Sequence, residues 1–326
     1  HTNTLALGID IGSTTVKVAL LNQASHIVFS DYERHYANIQ ETLAGLLKKA
    51  REITGPIQVI PVITGSGGLT LPLAVSKWKL NTSLEAKLSL RPISLRNVRE
   101  RAKFKIQEGI VRGFRDYLLS RDFTEIRTPK IVARGAEGGS NVFKLEYFNK
   151  KAELGQSPQF YKQTMVGVYD RVFEAAPVFR AEKHNTTRHL NEYTSLDFEM
   201  GYIDSFRDVM DMETGMLQYV MKLLEQDYKK ELDMLGVTLP EVGRIPAVRF
   251  DQAKELVSRK YDRKIRNPYD LEPEEELLIG RYFQEEYGSD FVFVTHYPSK
   301  KRPFYAMDDP ADPRFTLSFD LLFRGL

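Results

Sequence analysis

Residues 179–200 read FRAEKHNTTRHLNEYTSLDFEM, and this stretch decides the fold. It belongs to two strand-like runs, Val172 to Glu182 and Asn191 to Tyr202, joined by a polar loop from Lys183 to Leu190. In the second run Thr194, Leu196, Phe198, Met200 and Tyr202 fall on one face, and Ser195, Asp197 and Glu199 on the other. A period of two residues marks a half-buried strand, here with a polar working face. In the first run Arg180 and Glu182 stand two apart, so an extended backbone sends both side chains to one side. A guanidinium there can grip a phosphate or carboxylate with paired hydrogen bonds, while the neighbouring carboxylate accepts from an adenine amino group. The loop adds His184, Arg188 and His189, groups able to hold the outer phosphates of a nucleotide. An isolated Arg-x-Glu is equally an ordinary cross-strand pair, so the meaning depends on what surrounds it.

Downstream of the hairpin, Ser205 with Asp208 forms a capping signal for a helix running to about Leu235, where Gly236 supplies the stop. Glu272 to Glu276 open another helix to about Tyr287, and strands are expected near Phe291 to Val294, Phe304 to Met307 and Phe315 to Phe323. Upstream, Val98, Ala102, Ile106, Ile110, Phe114 and Leu118 recur at helical spacing and predict a long amphipathic helix ending near Arg121. Short strands follow around Glu125, Phe143 and Ala152, then a helix from Gln159 to Tyr169. Hairpins separated by long helices predict an antiparallel sheet in an α+β domain over 95–326. Residues 71–94 read as a connector. Residues 1–70 have a different style, with strands at Leu5 to Asp10, Val16 to Asn22, Ile27 to Tyr32 and Ile57 to Thr64 and a helix from Asn38 to Ile53.

The chain has 326 residues, 42% hydrophobic and 28% charged, which is the composition of a globular protein with a sizeable core. A net charge of +2 gives no global pull toward nucleic acid, although a local basic patch remains compatible with it. With no cysteine, the chain forms no disulfide, thiolate zinc site or cysteine-bound cluster. No apolar run approaches the ~20 residues of a membrane-spanning helix, and the N-terminus lacks a signal-peptide pattern. A cytoplasmic location and no membrane partner are therefore expected.

The full string from Phe179 to Met200 resembles motif 2 of class II aminoacyl-tRNA synthetases, and in detail the archaeal-type aspartyl-tRNA synthetases of subclass IIb. The resemblance spans about 72–326. Phe123-Thr-Glu-Ile-Arg-Thr-Pro129 looks like motif 1, which in that family builds a homodimer interface. Gly135-Ala-Glu-Gly-Gly-Ser140 is similar to the loop that closes over the amino acid, which would put Glu137 toward its ammonium group. Gln156-Ser-Pro-Gln-Phe-Tyr-Lys162 is similar to the aspartate-binding segment, implying that Gln159 and Lys162 contact the substrate and that Lys162 selects its side-chain carboxylate. Ser318-Phe-Asp-Leu321 matches a strand whose aspartate, here Asp320, helps hold magnesium beside ATP. The resemblance further implies ATP contacts from Arg180, Glu182, Arg188, His189 and Leu190, with Arg180 and His189 carrying the catalytic charge.

The implied reaction is attack of the L-aspartate α-carboxylate on the ATP α-phosphate, then transfer of the aspartyl group to tRNA. Asparagine ligation, a catalytically silent relative acting as a dimerisation or regulatory module, and an N-terminal ATPase stay open beside it, as does tRNA for asparagine beside tRNA for aspartate. The family's motif 3 and glycine–arginine site would follow Leu326, so a C-terminally incomplete core with impaired activity is expected.

Gly8-Ile-Asp-Ile-Gly-Ser-Thr-Thr-Val-Lys17 is a strand–turn–strand whose amides and hydroxyls can cradle phosphate, with Gly12, Ser13, Thr14 and Thr15 in the turn and Asp10 near a hydrated magnesium. With Phe29-Ser-Asp-Tyr-Glu-Arg-His-Tyr36 and Ile63-Thr-Gly-Ser-Gly-Gly68, this segment resembles the opening of acyl-CoA dehydratase activases, ATPases of the actin and sugar-kinase superfamily. It covers less than half of such a nucleotide-binding domain and lacks its second phosphate loop, so no ATP hydrolysis is expected of it. Two unrelated families then abut near Leu69 to Leu73, through a fused or misassembled frame or through a genuine fusion with a structural appendage. Such a half-domain is expected to leave an uncovered sheet edge.

Overall fold

A computed structural model describes residues 4–12, 14–36, 38–64, 83–89, 91–134, 141–183, 190–303 and 305–325. The chain forms two compact units, His1–Lys103 and Phe104–Leu326.

In the first unit, β1 (Thr4–Ile11), β2 (Thr15–Leu21) and β3 (Ile27–Arg34) form an antiparallel meander, α1 (Ile39–Thr54) crosses over, and β4 (Gln58–Thr64) returns parallel to β1. The sheet order is β3-β2-β1-β4. Alternation explains the core: Leu5, Leu7, Ile9 and Ile11 of β1 and Val16, Val18 and Leu20 of β2 are buried against Leu43, Leu46 and Ala50 of α1. Among the described residues β4 is an edge strand, and its Val59, Ile60 and Val62 are exposed. Two short helices, α2 (Leu84–Ser89) and α3 (Arg91–Ser94), occupy part of the expected connector.

The second unit is built around two long helices. Helix α4 (Val98–Leu119) begins at Asn97, whose side-chain oxygen accepts from the Arg99 and Glu100 amides at 2.9 and 3.2 Å. After it come β5 (Thr124–Glu125), β6 (Ile131–Val132), β7 (Lys144–Tyr147), β8 (Lys150–Leu154), α5 (Gln159–Tyr169), β9 (Arg171–Phe179), β10 (Glu192–Met200) and α6 (Phe206–Asp227). The chain continues through α7 (Lys229–Leu235), β11 (Ala247–Arg249), α8 (Phe250–Tyr261), α9 (Pro273–Tyr287), β12 (Phe291–Thr295), β13 (Asp308–Asp309), β14 (Asp312–Thr316) and β15 (Phe319–Phe323).

The α+β architecture holds, and parallel ladders add to it. The β9–β10 hairpin is antiparallel with β5 parallel to β9, and β12 pairs parallel to β11 and antiparallel to β15. Leu196, Phe198 and Met200 of β10 pack on the cluster of Phe114, Tyr117, Leu118, Phe123 and Phe173, which places the apolar face of the hairpin against α4. Phe114 is fully buried and meets Phe173 edge-on at 5.6 Å. Helices α4 and α6 approach closely through Gly109, where a Cβ would lie 2.6 Å from Leu224.

The structure departs from the sequence reading at five places. The helix expected to run to Leu235 breaks at Tyr228, a buried residue whose hydroxyl donates to Glu108 at 3.2 Å. Helix α8 went unanticipated because a lysine, Lys254, occupies its buried stripe beside Phe250, Ala253 and Val257. No strand forms at 305–307, where the chain turns into the β13–β14 hairpin, and the single strand expected over 315–323 divides at Leu317 and Ser318. Finally, β9 ends at Phe179 rather than Glu182.

Candidate active site

The end of β9 shapes the site. From its last residue three consecutive amides find three different segments: Phe179 N donates to Gly155 O, Arg180 N to Asn191 O and Ala181 N to Asn141 O, each at 3.0 Å. The bonds alternate in side, with Arg180 on Asn191 as the next pair of the β9–β10 register, so the backbone stays extended through Arg180 and is held by loops on its other edge. With its amide oriented to satisfy both groups, the Asn191 side chain donates to the carbonyls of Arg180 and Glu182 at 3.2 and 3.1 Å. The Arg180 guanidinium lies 5.7 Å from the centroid of the Tyr193 ring. Its Nε is buried without a hydrogen-bond partner among the described residues.

The polar face of β10 meets α5. Lys162 is 5% exposed, and its ammonium lies 3.1 Å from Asp197 and 3.6 Å from Glu199. Gln159 donates to Glu199 at 3.4 Å, and the Ser195 hydroxyl donates to Asp197. The structure thus joins Gln159 and Lys162, named from sequence, with Ser195, Asp197 and Glu199, seen there only as a polar face. Helix α5 is anchored by Gly155, whose amide donates to Lys130 O at 2.8 Å. Lys130 in turn shares the buried Glu174 carboxylate with Thr128, at 2.8 Å from its ammonium, 2.8 Å from the Thr128 amide and 2.7 Å from the Thr128 hydroxyl.

Asp320 on β15 is half-exposed and pairs with Arg302 at 2.9 Å. Burial, reinforced by the Asp320 charge, pushes the carboxyl of Glu213 on α6 up to about 7. The same two causes push the Tyr297 phenol upward. Glu213, Tyr297 and Arg302 carried no sequence signal of a site, since each sits in an ordinary helical or loop context. Glu137, His184, Arg188 and His189 lie outside the described residues, and Leu190 is exposed at the end of the loop.

In the first unit Asp10 lies 3.6 Å from Lys17, and the Gly12 amide donates to Thr15 O at 2.8 Å, closing the turn on itself. Ser13 is outside the described residues, while Thr14 accepts the His35 amide at 3.1 Å through its carbonyl and Thr15 opens β2. A cavity of about 660 Å³ in this unit is lined by residues including Leu7, Leu20, Ala50 and Val59, and by none of the turn residues. Among the described residues no group of three or more His, Cys, Asp or Glu could hold a metal, and no helix is long and apolar enough to cross a membrane.

Residues 83–326, which hold the hairpin and its polar face, match the family model for class II tRNA synthetases (D, K and N). The chain belongs to that family. It is 47% identical over 261 residues to an aspartate–tRNA(Asp/Asn) ligase from Deinococcus radiodurans, covering 78% of this chain and 60% of that protein. It is 46% identical over 259 residues to the aspartate–tRNA(Asp/Asn) ligase of Aeropyrum pernix, covering 78% and 58%. The chain thus spans about three-fifths of the length of these curated relatives. The asparaginyl-tRNA synthetase of Pyrococcus horikoshii complexed with asparaginyl-adenylate superposes with a TM-score of 0.72 over 98% of this chain and 76% of that one, at 24% identity, a likeness of fold.

Proposed function

We propose that this site activates L-aspartate with ATP and passes the aspartyl group to tRNA. The observation that supports it most is the buried Lys162 ammonium, seated with Gln159, Asp197 and Glu199 on the polar face of the hairpin that carries Arg180. A compact cation there suits a side-chain carboxylate better than an amide. An α-carboxylate oxygen of aspartate attacks the α-phosphorus of ATP, the bond to the bridging oxygen breaks, and pyrophosphate leaves. The aspartyl carbonyl then passes to a hydroxyl at the tRNA 3′ end and releases AMP. Lys162 and Gln159 hold the amino acid, with Glu137 near its ammonium group. Arg180 neutralises the α-phosphate, Arg188 and His189 hold the outer phosphates, and Glu182 and Leu190 flank the adenine. These groups act by positioning and by charge neutralisation, which suffices for phosphoryl chemistry.

Magnesium, when bound, would neutralise the phosphate oxygens. Asp320 fits that task, because magnesium takes one or two protein carboxylates and completes its shell with water and phosphate. The relatives' names suggest that tRNA for both aspartate and asparagine is accepted. Motif 1 and α4 suggest a homodimer, and residues 95–326 are read as the catalytic core. For residues 1–70 the activase-like reading rests on the sequence resemblance alone, as a fused or misassembled frame or as a structural appendage.

Aspartate-dependent exchange of pyrophosphate into ATP tests the reading. Exchange that needs aspartate and disappears in Arg180→Ala supports it. Exchange driven equally by asparagine overturns the choice of substrate.

A further inference from the structure

We propose that Gln156 is a positioning residue for Arg180, acting through the backbone carbonyl of Asn141. The inference rests on the assignment of Arg180 to ATP. Gln156 is 5% exposed, and its Nε2 donates to Asn141 O at 3.1 Å. The same carbonyl accepts from Ala181 N at 3.0 Å, so both of its lone pairs are used, one by the amino-acid segment and one by the residue after Arg180. One position earlier on each segment, Gly155 O accepts from Phe179 N at 3.0 Å. Arg180 is therefore clamped on both sides by the turn that begins the 156–162 segment, directly through Phe179 and by way of Asn141 through Ala181.

The backbone that carries the Arg180 side chain is set by this clamp. The Arg180 Nε is buried without a hydrogen-bond partner among the described residues, and its Cζ lies 5.7 Å from the centroid of the Tyr193 ring. The other amide atom of Gln156, Oε1, is likewise buried without a partner among the described residues. Burying a polar atom unpaired is unfavourable, so packing alone gives no reason for a glutamine here. What the amide contributes is the donor to Asn141. The clamp also links the two substrates, since the turn that starts the aspartate segment sets the angle of the arginine assigned to ATP.

A double-mutant cycle reads this directly. ATP binding is measured by titration calorimetry for the wild-type chain, Gln156→Leu, Arg180→Ala and the double variant, with Gln156→Glu as a second form that keeps the side-chain volume and loses the donor. Each Gln156 variant is expected to weaken ATP about fivefold beside an intact Arg180 and less than twofold in the Arg180→Ala background, the signature of residues that act together. A merely structural role would weaken ATP equally in both backgrounds, and that result, or no effect in either, overturns the proposal. A wild-type chain that binds ATP without aspartate-dependent exchange refutes the proposed function and leaves the cycle readable. A wild-type chain that does not bind ATP refutes both.

Discussion

Two buried lysines serve opposite ends in this molecule. Lys254 of α8 and Lys162 of α5 are each about 5% exposed and each meets carboxylates. Lys254 pairs with Glu275, itself 1% exposed, among Phe250, Ala253, Val257, Leu271 and Ile279. Glu275 also accepts the Glu272 amide at 2.7 Å and so closes the capping box of α9. Lys162 faces two carboxylates that both reach solvent, in an arrangement with one more negative charge than positive. The sealed pair locks α8 to α9, and opening it would strand a charge in an apolar cluster. The open cluster has alternatives in water, so its contacts can be exchanged, as the proposed binding of a charged substrate requires.

Several substitutions would break or sharpen this contrast. The largest stability loss is expected from Lys254→Ala, about 3–5 kcal/mol in urea unfolding, because Glu275 stays buried and unpaired. The double change Lys254→Met with Glu275→Leu should recover most of that loss; failure to recover would mean that the pair does more than fill space. Lys162→Met should act in the other direction, lowering aspartate-dependent exchange about 100-fold (~2.7 kcal/mol) while shifting unfolding by less than about 1 kcal/mol. A large loss of stability there would make the two lysines alike.

Glu213 offers a titration between these extremes. Its carboxyl is raised from 4.5 to about 7 in the fold, so the folded chain holds a proton that the unfolded chain has released. Stability from this group is complete below pH 4.5 and is lost as pH rises through 7. The loss should be about 2 kcal/mol, less than the roughly 3 kcal/mol equivalent of the shift, because water still reaches the carboxyl. Thermal unfolding from pH 4 to 8 should show the decline in the wild-type chain and not in Glu213→Gln. The smallest effect, about 1 kcal/mol, is expected for Ser205→Ala, which removes the N-terminal cap of α6.

Much of the frame was legible from pattern alone. The four strands and the helix of the first unit, the helices α4, α5 and α9, and the β9–β10 hairpin all follow from alternation, helical spacing and capping residues. Periodicity failed where a residue type hid its environment. Lys254 breaks the apolar stripe of a core helix for which no element was expected, and Tyr228 interrupted an apolar period without a proline or glycine to announce it. The candidate site was half legible. Gln159, Lys162 and Arg180 could be proposed from the chain, whereas the grouping of Lys162 with Asp197 and Glu199 across 35 and 37 positions could not.

The polar face of β10 and the identity of its cations are local properties, because alternation along one strand needs no knowledge of any other segment. The anchoring of Arg180 is not local. Its amide and those on either side meet carbonyls from positions 191, 155 and 141, and a hydrogen bond between distant segments leaves no period in the chain to read. Side-chain type was therefore written residue by residue, while the holding of the backbone came from the folding together of segments whose separation in sequence carries no such information.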